Sequence, residues 1–333
     1  MYSYSIILPV RNGGNYVKQC VNSLLAQDYT NFNVLILDND STDGTLEWLS
    51  HIEDNRIKVF PHSIPLNICG NWGRIVGLEK NEYMTMIGSD DILLPNYLSE
   101  MNRLIAENPQ ASLFQTHFEF IDAEGKVMHS CQKMRLTYSV GEYVEAQLTR
   151  TLDSMGTGYM MRSADYNRLG GIPIDYPNLI FADYALWVQL TGLSCMAVSK
   201  AKTFQYRLHN SVSRVTNGED YTKAFFMYLE FLYQLKSLYP DIQTAIERNF
   251  KPYLLYFCQS LSHRLLNTSA KDRKTSVADF VDNCVCYANK LIPGQGFFPL
   301  RKSGIQLAVW LDRNNITRLS FKIIKQMTLL FRS

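Results

Sequence analysis

Tyr83-Met84-Thr85-Met86-Ile87-Gly88-Ser89-Asp90-Asp91 is an apolar run that ends in small residues and two adjacent carboxylates. A run this short reads as a strand buried on both faces, with the carboxylates at its C-terminal edge. In open α/β sheets that edge is where ligands bind. Two neighbouring Asp side chains repel at neutral pH and call for solvent or a cation, and hard divalent ions favour such oxygen donors. The pair reads as a metal-and-diphosphate site, or more plainly as a solvated turn before a helix that starts near Pro95.

Upstream, two hydrophobic periods alternate. Ser5 to Val10 reads as a strand, and Tyr16 to Gln27 as a helix with its apolar stripe at Val17, Cys20, Val21, Leu24 and Leu25. Asn33 to Asp38, Ile57 to Phe60 and Tyr83 to Ile87 read as further strands, with helices over Asp43 to Glu53 and Asn71 to Lys80. This alternation implies a parallel sheet with right-handed crossovers. Three strand ends then share one edge: Pro9-Val10-Arg11-Asn12, Asp38-Asn39-Asp40-Ser41 and Ser89-Asp90-Asp91. Arg11-Asn12-Gly13-Gly14-Asn15 does not supply the glycine pattern of a dinucleotide site, and no Walker-type phosphate loop occurs. Carboxylates, amides and one arginine remain. They suit a nucleotide whose base is read by side chains and whose diphosphate is held through a metal.

At 333 residues the chain is long enough for one α/β domain plus an appendage, and 46% hydrophobic with 19% charged residues is a globular composition. A formal net charge of +2 gives no reason to expect nucleic acid as a partner. The seven cysteines show neither metal-type nor disulfide-type pairing, which suits reduced thiols in a cytoplasmic protein. No basic leader and cleavage site precede the first strand, and no window approaches the ~20 apolar residues of a spanning helix.

Four blocks in this order, Ser5-Ile6-Ile7-Leu8-Pro9-Val10-Arg11-Asn12, Ser23-Leu24-Leu25-Ala26-Gln27, Leu37-Asp38-Asn39-Asp40-Ser41-Thr42-Asp43-Gly44-Thr45 and Gly88-Ser89-Asp90-Asp91, resemble the successive blocks of family 2 glycosyltransferases. The resemblance covers roughly residues 3 to 212. It implies an α/β fold of GT-A type, a Rossmann-like, mostly parallel sheet flanked by helices. It also implies a nucleotide-sugar donor, a UDP-sugar or similar, and inversion at the anomeric carbon. Carried over position by position, Pro9, Arg11, Asp38 and Asp40 become base and ribose contacts, with Val10 and Ser89 beside them in the donor site. Asn67 and Arg74 become further donor contacts, although they read equally as a polar loop and a solvated helix face. Asp91, helped by Asp90, becomes the acidic motif that holds Mn²⁺ or Mg²⁺ on the diphosphate. Asp40 and Asp43 also read as helix-capping residues.

In the middle of the chain, Ser112 to Ile121 alternates as a strand and Asp122-Ala123-Glu124-Gly125 signals a turn. Asp153-Ser154-Met155-Gly156-Thr157-Gly158-Tyr159 is rich in small residues and corresponds to the family's region beneath the two sugars. Phe181-Ala182-Asp183-Tyr184-Ala185-Leu186-Trp187 resembles the helix that begins with a Glu-Asp pair in the family, with Ala182 in place of the glutamate. Asp183 is then the candidate general base, an inverting transfer needing one carboxylate to take the acceptor hydroxyl's proton; its plain alternative is a helix N-cap. The missing glutamate keeps open a second class of function, a non-catalytic protein that binds nucleotide or glycan on the same fold. His209, after a strand-like run, corresponds to a histidine that completes the metal shell or touches the diphosphate in the family; a lone histidine also reads as structural. Arg207 and Arg214 read as flanking the phosphates or facing solvent.

These patterns divide the chain into a nucleotide-sugar-binding catalytic domain over 1–215 and a helical region over 216–333. The nearly all-round apolar stretch Ala224 to Leu238 must be buried or paired, in helical packing or in a homo-oligomer. Ile242 to Asn267 reads as one or two helices interrupted at Lys251-Pro252. At the C-terminal end Ile316, Leu319, Ile323, Met327 and Leu330 share one helical face and Arg318, Lys322 and Lys325 another. From Arg301 onward seven basic residues stand against Asp312 alone. Such a helix either packs on its own domain or holds the protein peripherally at the inner face of the plasma membrane. The acceptor expected for this reading is a glycan or a lipid-linked glycan of surface polysaccharide synthesis.

Overall fold

The computed structural model describes residues 2–208, 212–314 and 316–318, which divide into two compact units, Met1–Ser211 and Val212–Ser333. In the first unit β1 (Tyr4–Val10) is buried at all seven positions, as a strand covered on both faces must be. Helix α1 (Gly14–Leu25) follows and buries Val17, Cys20, Val21 and Leu24, the stripe read from the sequence. Then come β2 (Phe32–Asp38), α2 (Thr45–Ser50), β3 (Ile57–Val59), α3 (Ile68–Gly73) and β4 (Tyr83–Met86). β1, β2, β3 and β4 pair in parallel, from Tyr4↔Phe32 through to Val10↔Asp38 and from Tyr4↔Tyr83 to Ile7↔Met86. Their C-terminal ends therefore lie on one edge, as expected.

Two helices are shorter than their sequence pattern. Helix α2 begins only after Gly44, whose φ of 87° is left-handed. Helix α3 starts earlier than expected because Asn67 accepts a hydrogen bond from the Gly70 N–H and caps it there. Past Gly73 the chain tightens into a 3₁₀ turn, Arg74–Gly77, and Lys80 Nζ donates to the carbonyls of Ile75 and Leu78. Glycines at 70, 73 and 77 weaken a continuous helix there.

Beyond β4 the elements are β5 (Ile92–Leu93), α4 (Tyr97–Glu107), β6 (Leu113–Ile121), β7 (Val127–Ser130), β8 (Thr137–Tyr138), α5 (Val140–Thr149), β9 (Met160–Arg162), α6 (Ser163–Arg168), α7 (Ala182–Leu193) and β10 (Met196–Arg207). The sheet runs β3-β2-β1-β4-β9-β6-β10-β5, with β7 on β6 and β8 on β10. Strand β9 is antiparallel to both β4 and β6, whereas β6 and β10 are parallel. The sheet flanked by helices is the expected one, and its second half is mixed because β9 inserts antiparallel at the centre.

The second unit contains α8 (Val212–Val215), α9 (Gly218–Lys236), α10 (Pro240–Asn267), α11 (Val277–Leu291) and α12 (Ser303–Leu311). Its apolar stretch is packed as expected, with Phe225, Tyr228, Leu229 and Leu232 buried. The break expected at Pro252 is absent: α10 runs through it for 28 residues. An interior proline costs a helix about 3 kcal/mol. Phe250, Tyr253, Leu254 and Cys258 are all buried around it, so packing outweighs the lost backbone bond. No helix among the described residues is long and apolar enough to cross a membrane. Of the C-terminal helix expected over 314–333, residues 315 and 319–333 lie outside the described residues, as does His209.

Candidate active site

The first two strand ends are stitched together by their own loops. Asn12, left-handed at φ 53°, accepts from the Thr42 N–H (2.8 Å) and donates its own N–H to Ser41 Oγ (2.9 Å). Gly13 and Gly14 donate to Thr45 Oγ1 (3.1 Å) and Asp43 Oδ2 (2.9 Å), and the Asn39 N–H donates to the Val10 carbonyl (3.0 Å). Asp43 thus ties the two loops together, and α2 has no side-chain N-cap. Arg11 is exposed on this braced turn, Pro9 and Val10 are buried at the end of β1, and Asp40 is half-buried with a left-handed φ of 57°. Backbone strain of that kind collects where function demands it.

Asp38 is fully buried at the end of β2. Its Oδ1 accepts the Ser41 N–H at 3.2 Å, while its Oδ2 has no hydrogen-bond partner among the described residues. A buried carboxylate oxygen left without a donor is costly unless a ligand supplies one. Arg74 braces the same strand end, donating to the Asp38 carbonyl (3.0 Å), Asn71 Oδ1 (3.0 Å) and the Phe60 carbonyl (2.6 Å). The Asn67 side chain is taken up in capping α3.

The acidic pair converges over Gly88, where a Cβ would sit 2.7 Å from Asp90 Oδ1 and 2.9 Å from Asp91 Oδ2. Only glycine leaves that space open. Asp91 is buried, with Oδ1 accepting the Arg207 backbone N–H (2.9 Å) and Oδ2 accepting the Thr157 hydroxyl (2.9 Å). Burial, and after it the Asp90 charge, push its carboxyl well above the usual range. Two hard carboxylates facing one small cradle, one of them short of compensating charge, fit a divalent cation. Among the described residues no cluster of three or more His, Cys, Asp or Glu gathers.

Arg207 does not face solvent. Its buried guanidinium donates to the carbonyls of Asp90 (2.8 Å), Asp122 (3.0 Å) and Ala123 (3.0 Å) and to Gln19 Oε1 (2.8 Å), and it lies 4.6 Å from the Tyr16 ring centre. Strand β10, α1, the acidic motif and the turn after β6 thus meet on one side chain. Arg214 is exposed.

Helix α7 begins after three left-handed residues, Asn178, Leu179 and Phe181. Asp183 lies in its first turn and Ala182 is fully buried, so the departure from the Glu-Asp pair falls at a packing position. Burial pushes the Asp183 carboxyl up to about 7, while the N–H groups of Asp183 and Tyr184 pull it down. Beneath it Trp187 stacks on Tyr159 (4.4 Å between ring centres) and donates Nε1–H to the Met155 carbonyl (2.9 Å). A Cβ on Gly156 would lie 3.6 Å from Asp183 Oδ2, and the next residue, Thr157, is the one that holds Asp91. One step of the chain therefore joins the buried acid of the metal-type cradle to the carboxylate on α7. The Gly158 N–H donates to the Met86 carbonyl (2.9 Å) and fixes that step against β4.

The sequence points to the 153–159 stretch and to all three strand ends, but not to the grip of Thr157 on Asp91 or the part of Gln19 under Arg207. Their signal is a contact between distant segments, which no local pattern carries.

A Rossmann-like edge with a convergent acidic pair, a third carboxylate on a following helix and a mixed extension of the sheet is the architecture of a GT-A glycosyltransferase. Residues 5–167, just under half of the chain, match Glycosyl transferase family 2. It is 24% identical over 234 residues to an uncharacterized glycosyltransferase of Haemophilus influenzae, covering 65% of this chain and 68% of the relative. It is 24% identical over 189 residues to the UDP-Glc:alpha-D-GlcNAc-diphosphoundecaprenol beta-1,3-glucosyltransferase WfgD of Escherichia coli, covering 57% and 70%. Its fold is similar to that of S. aureus TarS, residues 1–349, solved with UDP-GlcNAc: TM-score 0.65, 13% identity, 93% of this chain and 91% of that one.

Proposed function

We propose that this glycosyltransferase moves a sugar from a UDP-sugar to a glycan or lipid-linked acceptor in surface polysaccharide synthesis, with inversion at the anomeric carbon. The observation that carries the reading is the Gly156-Thr157 step, which brings Asp183 and Asp91 to one locus. Asp183, with its carboxyl raised to about 7, takes the acceptor hydroxyl's proton as that oxygen attacks. Asp38 Oδ2, buried without a donor, accepts from the base, and Pro9, Val10, Arg11, Asp40 and Ser89 line the same edge. Arg74 and Asn67 serve the donor by holding the β2 end and its neighbouring helix in place.

Asp91 and Asp90, with His209 as a further ligand, hold Mn²⁺ or Mg²⁺. When bound, the ion offsets negative charge on the departing diphosphate. The UDP-linked name of WfgD and the UDP-GlcNAc in the TarS structure support the donor class, and the diphosphoundecaprenol in the WfgD name supports a lipid-linked acceptor. Such an acceptor is met at the cytoplasmic face of the membrane.

The test is release of nucleoside diphosphate from a panel of nucleotide sugars, with and without Mn²⁺, by wild type and Asp183→Asn. Metal-dependent release from one UDP-sugar by wild type alone is expected. Metal-dependent binding with no turnover across donors and acceptors would replace this reading with that of a binding protein.

A further inference from the structure

We propose that the surface formed by Phe298, Leu300, Leu307 and Trp310 in the helical unit docks on an anionic lipid surface. Helix α12 buries Ile305 and Ala308 on one side, while Leu307 and Trp310, one turn apart on another side, are each 52% exposed. Phe298 and Leu300, just before the helix, are 60% and 50% exposed. A helix apolar on both sides needs a second covering, and four large apolar side chains bared within thirteen residues of the chain are a cluster rather than a scatter.

Charge selects the occupant. Arg301 places its guanidinium 4.7 Å from the Phe298 ring centre, and Lys302 and Arg313 are exposed close by in the chain. Asp312, the one acid from residue 301 onward, is buried and neutralised by Arg273 and Arg318. The patch is therefore rimmed by positive charge, with no free acid from this segment to balance it. A second copy presenting the same face would meet it with like charge. Residues 319–333 bring Lys322, Lys325 and Arg332 and no acid, so covering the patch with their apolar face would set like charges side by side. Aromatic and aliphatic side chains among basic ones match an anionic headgroup layer, where the rings enter the interface and the cations meet phosphates.

The full chain is tested by co-sedimentation with phosphatidylcholine vesicles and with mixed phosphatidylcholine/phosphatidylglycerol vesicles. Binding is expected to the mixed vesicles alone, weakening as salt is raised. The double variant Leu307→Ser/Trp310→Ser is expected to lose about tenfold or more in vesicle affinity with its circular dichroism unchanged. Arg301→Glu/Lys302→Glu, which leaves the apolar side chains in place, should lose the preference for the anionic lipid. Equal binding to both vesicles, binding that the substitutions leave intact, or no binding overturns the proposal. A dimer in sedimentation that the Leu307/Trp310 variant dissolves, without vesicle binding, assigns the surface to a second copy instead. None of these readouts depends on catalysis.

Discussion

The backbone N–H of Arg207 donates to Oδ1 of Asp91 over 2.9 Å, joining residues 116 positions apart. The same arginine holds the Asp90 carbonyl and the turn at Asp122-Ala123. Arg207→Met leaves those part-buried acceptors without their donors and is expected to cost about 1–3 kcal/mol. Arg207→Lys should recover only part of this, because an ammonium cannot reproduce the fork that reaches four acceptors. Denaturant midpoints of the three proteins decide it; equal midpoints for wild type and the Met variant would deny the arginine this role.

As the proposed base, Asp183 should set the pH dependence. Its carboxyl is raised to about 7, so the base is active only once deprotonated, and kcat/KM should climb as pH rises through about 7. Asp183→Asn should lower kcat by roughly 10²–10⁴-fold, leave donor affinity unchanged and erase that limb of the profile. Stability has the opposite slope. Between the ordinary carboxylate range and about pH 7 the native carboxyl keeps a proton that the unfolded chain has released, so stability falls as pH rises through that window. Above pH 7 the Asn variant should therefore melt higher than wild type, which calorimetry at several pH values checks.

For the acidic cradle, Asp90→Asn should weaken Mn²⁺-dependent UDP binding by about tenfold or more, as should chelation of the metal for wild type. Asp91→Ala should lose the same binding and also stability, because the Arg207 N–H and the Thr157 hydroxyl lose their acceptor. Calorimetric titration with UDP, with and without Mn²⁺, measures the first effect and thermal melting the second.

Gly158 has φ +79°, and a Cβ there would come 2.8 Å from the Phe204 ring. Gly158→Ala is expected to cost about 1–3 kcal/mol through strain and overpacking. Gly77→Ala, with nothing within 4 Å of its Cβ, serves as the control and should be neutral. A Gly158 variant that melts with the Gly77 variant would show that the loop yields freely.

Much of the site was legible before folding. The burial of β1, β2 and β4 follows from apolar runs with a period or a length that admits one reading, and Asp38, Asp90 and Asp91 stand where those runs stop. Asp183 was reached through the aromatic pattern of its helix and by resemblance. At Pro252 the local rule fails, because the burial of Phe250, Tyr253, Leu254 and Cys258 outweighs the backbone bond that the proline removes.

The amino-acid sequence by itself determined the parallel strands of the first half, the edge on which their ends meet and the carboxylates on that edge, because period and punctuation are local. Only the tertiary structure decided that β9 enters antiparallel, that Thr157 and Arg207 grip Asp91, and that Gly156 meets Asp183. Those relations join segments tens of residues or more apart. Their free energy comes from burial and hydrogen bonds that exist only after the chain has closed on itself.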